Sequence, residues 1–183
     1  LQPFQHEEKE RALARRLGVR RFVDGWLQTY GAGVQRRLGS SDQVGMVLRY
    51  GVGTTEYMRS TGGYALTLEC GQHADPAAPD VSYRAIMNTL AFLGFIDAPQ
   101  PEPIADADME ALNMVVVHDK LHADDRFIKT WSSFDKVKQG DQIGVRADGT
   151  PVTAEFDAYI LFPDVNAQAN AEWYYLARVA SSS

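Results

Sequence analysis

The spacing of apolar and polar residues changes several times along the first hundred positions, and each change predicts an element. EEKERALARRLG (residues 7–18) reads as an amphipathic helix, with acids in its first turn, arginines in its last and Gly18 as its stop. VRRFVDG (19–25) reads as a short strand. Residues 26–41 are basic at Arg36 and Arg37 and interrupted by glycine, which fits a loop or a broken helix. VGMVLRYG (44–51) fits a strand or hairpin arm. TTEYMRST (54–61) fits a short helix capped by Thr54 or Thr55 and ended by Gly62 and Gly63. Tyr64, Ala65, Leu66, Thr67 and Leu68 then form a buried-strand pattern that ends on a carboxylate, Glu69, followed by Cys70 and Gly71. Beyond Pro76 and Pro79, the stripe Val81, Ile86, Leu90, Leu93 predicts a longer helix. Alternating strands and helices of this kind mark an α/β layer.

The texture then changes. DAPQPEPIADAD (97–108) has three prolines, several acids and no apolar period, so it reads as a linker or boundary loop. After it come short strands and turns: LNMVVVHD, a turn at Gln139–Gly140–Asp141, QIGVRA, an Asp148–Gly149 hairpin signal, a strand through TAEFDAYILFP, and EWYYLARV. The pattern predicts an α/β part over 1–97, a linker over 98–110 and a small, mostly β domain over 111–183. Charge follows the same division, since residues 1–97 carry a net of +1 and residues 98–183 a net of −7.

The overall charge of −6 argues against a nucleic-acid partner, which would need clustered Lys and Arg. No apolar run approaches the ~20 residues that span a bilayer, so no membrane partner is expected. Cys70 is the only cysteine, which rules out an intrachain disulfide and leaves a cytoplasmic location as the expectation. The first residue is Leu1, and the expectation is that this is the C-terminal part of a longer protein.

Several positions bear on chemistry. Glu69, at the carboxyl end of an α/β strand, stands where such folds usually hold ligands. Partly desolvated there, it would suit a general base; solvated, it would simply pair with a nearby arginine. Arg59, ten residues earlier, could grip a substrate carboxylate through two parallel hydrogen bonds, or could pair on its own helix with Glu56. Trp173, Tyr174 and Tyr175 alternate across a strand, with one face in the core and one phenol able to reach a cleft. His6, His73, His118 and His122 show no metal-ligand spacing, and the last two read as exposed polar residues. Cys70, beside the charge of Glu69, reads as a buried inert thiol, and GVGTTEY lacks the ending of a phosphate loop.

Together these features resemble the succinylglutamate desuccinylase and aspartoacylase family, zinc-dependent deacylases related to the zinc carboxypeptidases. The resemblance rests on Arg59–Ser60 placed ten residues before the E-x-G of Glu69, Cys70 and Gly71. It continues through VKQGDQIG (137–144), DGTP (148–151), DAYILFP (157–163) and EWYYLA (172–177). It implies the C-terminal part of a zinc-carboxypeptidase-like α/β domain followed by a barrel-sandwich-like β domain. It also implies Glu69 as general base, Arg59 as the grip on a substrate carboxylate, and Tyr174 lining the substrate pocket, or Tyr175 after a one-residue shift. The substrate would be a small N-acyl amino acid or related amide. The family's zinc ligands, a His-x-x-Glu pair and a later D-x-H histidine, do not occur in this sequence. The zinc of the parent enzyme is therefore expected to be held by residues outside the chain, and the isolated chain is expected neither to bind it at that site nor to hydrolyse anything.

Two other readings remain. Residues 137–163 also resemble the barrel-sandwich hybrid of biotinyl and lipoyl carriers, but the Asp148–Gly149 turn has no lysine to carry a prosthetic group. The chain could also be a ligand-binding pseudoenzyme. An open sheet edge could promote self-association into a homo-oligomer.

Overall fold

The computed structural model describes residues 5–39, 53–72 and 74–180. The VGMVLRYG segment and His73 lie outside the described residues. Contacts divide the chain into two compact units: residues 5–21 and 53–110, and residues 22–39 and 111–180. The sequence pattern places a boundary after residue 110 as well, but contacts group 22–39 with the β-rich part. No described helix is long and apolar enough to cross a membrane.

The first unit holds helices α1 (Glu7–Ala14), α3 (Thr54–Ser60) and α4 (Ala78–Phe92), while α2 (Trp26–Leu38) belongs to the other unit. Its core joins Leu13 and Leu17 to Ala85, with Tyr64, Leu66, Leu68 and Phe92 packed around them. Helix α3 is capped by Gly53 rather than by either threonine, because the Glu56 carboxylate turns back to accept the Gly53 N–H at 3.0 Å. Residues 64–70 keep the alternation of a strand, yet they join no ladder among the described residues.

The second unit opens with β1 (Arg21–Asp24) and α2 (Trp26–Leu38). The helix is unbroken, in contrast to the broken or looped segment expected, and Gly33 shows why its glycines are tolerated. It faces β2 (Glu110–Lys120), and a Cβ at Gly33 would stand 2.7 Å from Val117 Cγ1. Close approach of helix to strand thus requires the missing side chain. Gly33→Ala should gain about 1 kcal/mol in helix propensity and lose about 1–3 kcal/mol to overpacking. The expected net result is a lower urea midpoint for the second unit.

The remaining strands are β3 (Arg126–Phe127), β4 (Lys136–Val137), β5 (Gln142–Val145), β6 (Pro151–Thr153), β7 (Ala158–Leu161) and β8 (Ala171–Val179). They form a five-stranded sheet in the order β1, β2, β8, β7, β4 and a three-stranded sheet in the order β3, β5, β6. The strand expected through TAEFDAYILFP is in fact divided, since β6 pairs with β5 and β7 pairs with β8. Ile143, Val152, Ile160, Trp173 and Leu176, contributed by both sheets, share one core cluster. Leu112, Met114, Val117, Leu161, Tyr175 and Ala177 form another, entirely from the five-stranded sheet. At Gly144 a Cβ would come within 2.6 Å of the Trp173 ring, so the final glycine of VKQGDQIG makes room for the indole.

Candidate active site

In the first unit the segment bearing Glu69 is held by a carboxylate from α1. Glu10 lies on the buried stripe Glu10, Leu13, Ala14, Leu17, spaced i, i+3, i+4, i+7 along the helix. Its carboxylate accepts Arg59 Nε at 2.7 Å on one oxygen and Arg59 Nη2 at 2.8 Å on the other. The Ala65 N–H adds a third bond at 3.1 Å. One buried acid thereby ties α1, α3 and the approach to Glu69 together. Burial alone would raise the Glu10 carboxyl, but the Arg59 fork and the Ala65 N–H outweigh it and hold the group below its usual value. The pairing with Glu56 anticipated for Arg59 is secondary, at 3.6 Å. Glu69 itself is exposed, Cys70 is half-buried, and Gly71 turns the chain with a φ of 125°.

Tyr174 and Tyr175 belong to the second unit and face opposite sides of β8. Two bulges shape this strand pair. Val115 of β2 has no partner between Met114–Ala177 and Val116–Leu176, and Trp173 of β8 has none between His118–Tyr174 and Asp119–Glu172. The second bulge lets Trp173 join the same cluster as Tyr174. Tyr175 donates to Glu172 Oε2 at 2.6 Å. Glu172 pairs with Arg37, which with Arg36 also holds the buried Asp119. Burial, then the bond to Glu172 and its charge, push the Tyr175 phenol well above its ordinary value.

Tyr174 differs. Its ring stacks on His118 with centroids 4.6 Å apart, and neither its hydroxyl nor His118 Nε2 has a hydrogen-bond partner among the described residues. Burial raises the Tyr174 phenol far above the usual range. Burial also lowers the His118 imidazole, against the charge of Glu155 and with that of Arg146. His118 is therefore a half-buried neighbour of Tyr174 and not the exposed residue expected, whereas His122 is exposed.

Sequence reasoning missed Glu10, although a carboxylate on an apolar helix stripe was a signal available to it. It also missed Asp125, whose buried carboxylate accepts Arg146 Nη1 at 2.7 Å and the backbone N–H groups of Leu121, His122 and Ala147. No local pattern marks that residue. Among the described residues, no three His, Cys, Asp or Glu side chains gather where they could hold a metal. The donors of the described residues therefore do not make up a zinc site.

No family model matches the sequence, and no curated protein matches it. Solved structures do. A succinylglutamate desuccinylase/aspartoacylase from Rhodobacter sphaeroides matches at a TM-score of 0.63 and 15% identity, over 100% of this chain and 52% of that one. A succinylglutamate desuccinylase from Vibrio cholerae matches at 0.58 and 17% identity, over 97% of this chain and 47% of the other. One from Vibrio parahaemolyticus matches at 0.50 and 13% identity, over 85% and 46%. The chain has the mixed α/β fold of succinylglutamate desuccinylase/aspartoacylase structures and spans about half of their length.

Proposed function

We propose that this chain is the C-terminal part of a cytoplasmic zinc-dependent deacylase, which hydrolyses the amide of a small N-acyl amino acid or related compound. In this reading the first unit belongs to a zinc-carboxypeptidase-like α/β domain and the second to a barrel-sandwich-like β domain. The observation that carries the proposal is the fold match across the whole chain to a succinylglutamate desuccinylase/aspartoacylase structure. The local arrangement around Glu69 supports it.

Glu69, exposed at the end of a packed segment, would take the proton from the water that attacks the acyl carbonyl and return it to the departing amine. Arg59 would pair with the substrate carboxylate while sharing its guanidinium with Glu10, which holds the fork in one orientation. Tyr174 would line the substrate pocket. That role comes from the resemblance alone: its hydroxyl is buried in the second unit without a partner among the described residues, whereas that of Tyr175 is committed to Glu172. Zinc, the cofactor that the resemblance implies, finds no donor set among the described residues. The chemistry assigned to this chain is thus proton transfer and substrate grip, and the isolated chain is inactive on this reading.

The test uses the full natural polypeptide that carries this sequence, supplied with zinc. N-acylated aspartate and glutamate should be hydrolysed in preference to N-acylated leucine. Arg59→Met should raise KM for the acidic substrates by about 10–100-fold, the value of a charge-assisted hydrogen bond pair, with a smaller effect on the neutral one. Equal treatment of all three substrates by both proteins would remove Arg59 from the substrate site.

A further inference from the structure

We infer that the β-rich unit carries an oxyanion-binding site at the end of β2, built on Lys120. Lys120 is only 8% exposed, yet among the described residues its ammonium has no hydrogen-bond or ion-pair partner. The stem is buried while the ammonium still reaches solvent, beside the open depression that Lys120 lines. Its surroundings add positive charge rather than cancel it. Lys120, Arg126 and Lys129 line one open depression of about 590 Å³, together with Asp124 and Asp125. Asp125 is already matched by Arg146 at 2.7 Å and by three backbone N–H groups. Asp124 lies beside His122, 3.5 Å from its Nδ1. Three cations therefore face one uncommitted carboxylate.

The chemistry that completes this site is a small oxyanion, a phosphate or a carboxylate group. The Arg126 guanidinium can present two parallel donors to such a group, and the two ammonium ions act as point charges. Thr130 lines the same depression and brings a hydroxyl, while Phe127 and Trp173 supply an apolar wall. Lys129 keeps its charge over the Trp131 ring, 4.0 Å from the centroid, at the rim. Arg126 and Lys129 are exposed and Lys120 is buried, so the site has a fixed floor and an adaptable mouth. None of these residues belongs to the deacylase reading, and the site stands or falls separately from it.

The experiment titrates the 183-residue chain with inorganic phosphate and, in parallel, with acetate. Ionic strength is held constant with chloride, and backbone amide resonances are followed. Saturable shifts should appear at residues 120–130 and at Trp173 with one of the two anions, and the anion that saturates first identifies the source group. Lys120→Met, which keeps most of the apolar stem, should weaken that binding by at least about tenfold. The double variant R126Q/K129Q alters exposed side chains only and should weaken it to a similar degree, which keeps the test valid if the first variant fails to fold. Shifts that do not saturate, that chloride reproduces, or that persist unchanged in both variants would overturn the assignment.

Discussion

Replacing Asp125 with alanine is expected to lower the unfolding free energy of the β-rich unit by about 3–5 kcal/mol, the cost of removing one member of a buried ion pair. The side chain is 1% exposed, and the bonds it accepts come from two places, the loop after β2 and the β5–β6 turn. Leu121 and His122 donate from just beyond β2, and Arg146 and Ala147 from the hairpin turn. Its loss would leave three backbone N–H groups and one guanidinium without this acceptor in a largely dry place. A domain of this size has about 5–15 kcal/mol in all, so the variant should be mostly unfolded at moderate urea. Asp125→Asn should lose less, because it keeps an acceptor oxygen for the backbone.

The pH dependence follows in sign. Burial would raise the Asp125 carboxyl, but the Arg146 guanidinium and the backbone donors hold it below its ordinary value. Its folded pKa is thus depressed relative to an unfolded value of about 3.9. The stability it contributes is present above that unfolded value and is lost as pH falls through the folded one. Urea midpoints of the parent and Asp125→Ala should differ most near neutral pH and converge below about pH 4. A gap that stays constant into acid would assign the effect to packing instead of charge.

Much of the architecture was legible in the sequence, for local reasons. α1 announced itself through its acid-to-base order, and the turns at Gly140 and Gly149 through their residue types. β2 and β8 were readable as runs of strand-forming residues. What escaped was decided by distant partners. The segment TAEFDAYILFP has continuous strand character, but pairing with β5 on one side and β8 on the other divides it between two sheets. Helix α2 looked broken because glycine is a poor helix former, while the close face of β2 makes Gly33 an asset. Residues 64–68 showed the right alternation and do pack against Leu13 and Leu17, yet periodicity says nothing about which strand is available to pair with. Glu69 and Arg59, the residues proposed for the site, were singled out by their sequence positions. Glu10, Asp125 and Lys120 take their meaning from groups up to 55 residues away, and only folding reveals them.

The proposed reaction rests most heavily on Glu69. It is exposed and outside every core cluster, so replacing it with glutamine should change stability by no more than about 0.5 kcal/mol. Glutamine keeps the size of the side chain and its hydrogen-bonding reach but cannot accept a proton at neutral pH. A lost general base lowers the rate by about 10²–10⁴-fold, whereas a lost binding contact would raise KM. The deciding measurement is the steady-state hydrolysis of N-acetylaspartate and N-succinylglutamate by the full natural polypeptide with zinc, comparing the parent with Glu69→Gln. The account predicts a fall in kcat of that size on whichever substrate is turned over, with KM little changed and the unfolding curve superimposable. An unchanged kcat in Glu69→Gln, or no hydrolysis of either amide by the parent, would contradict it.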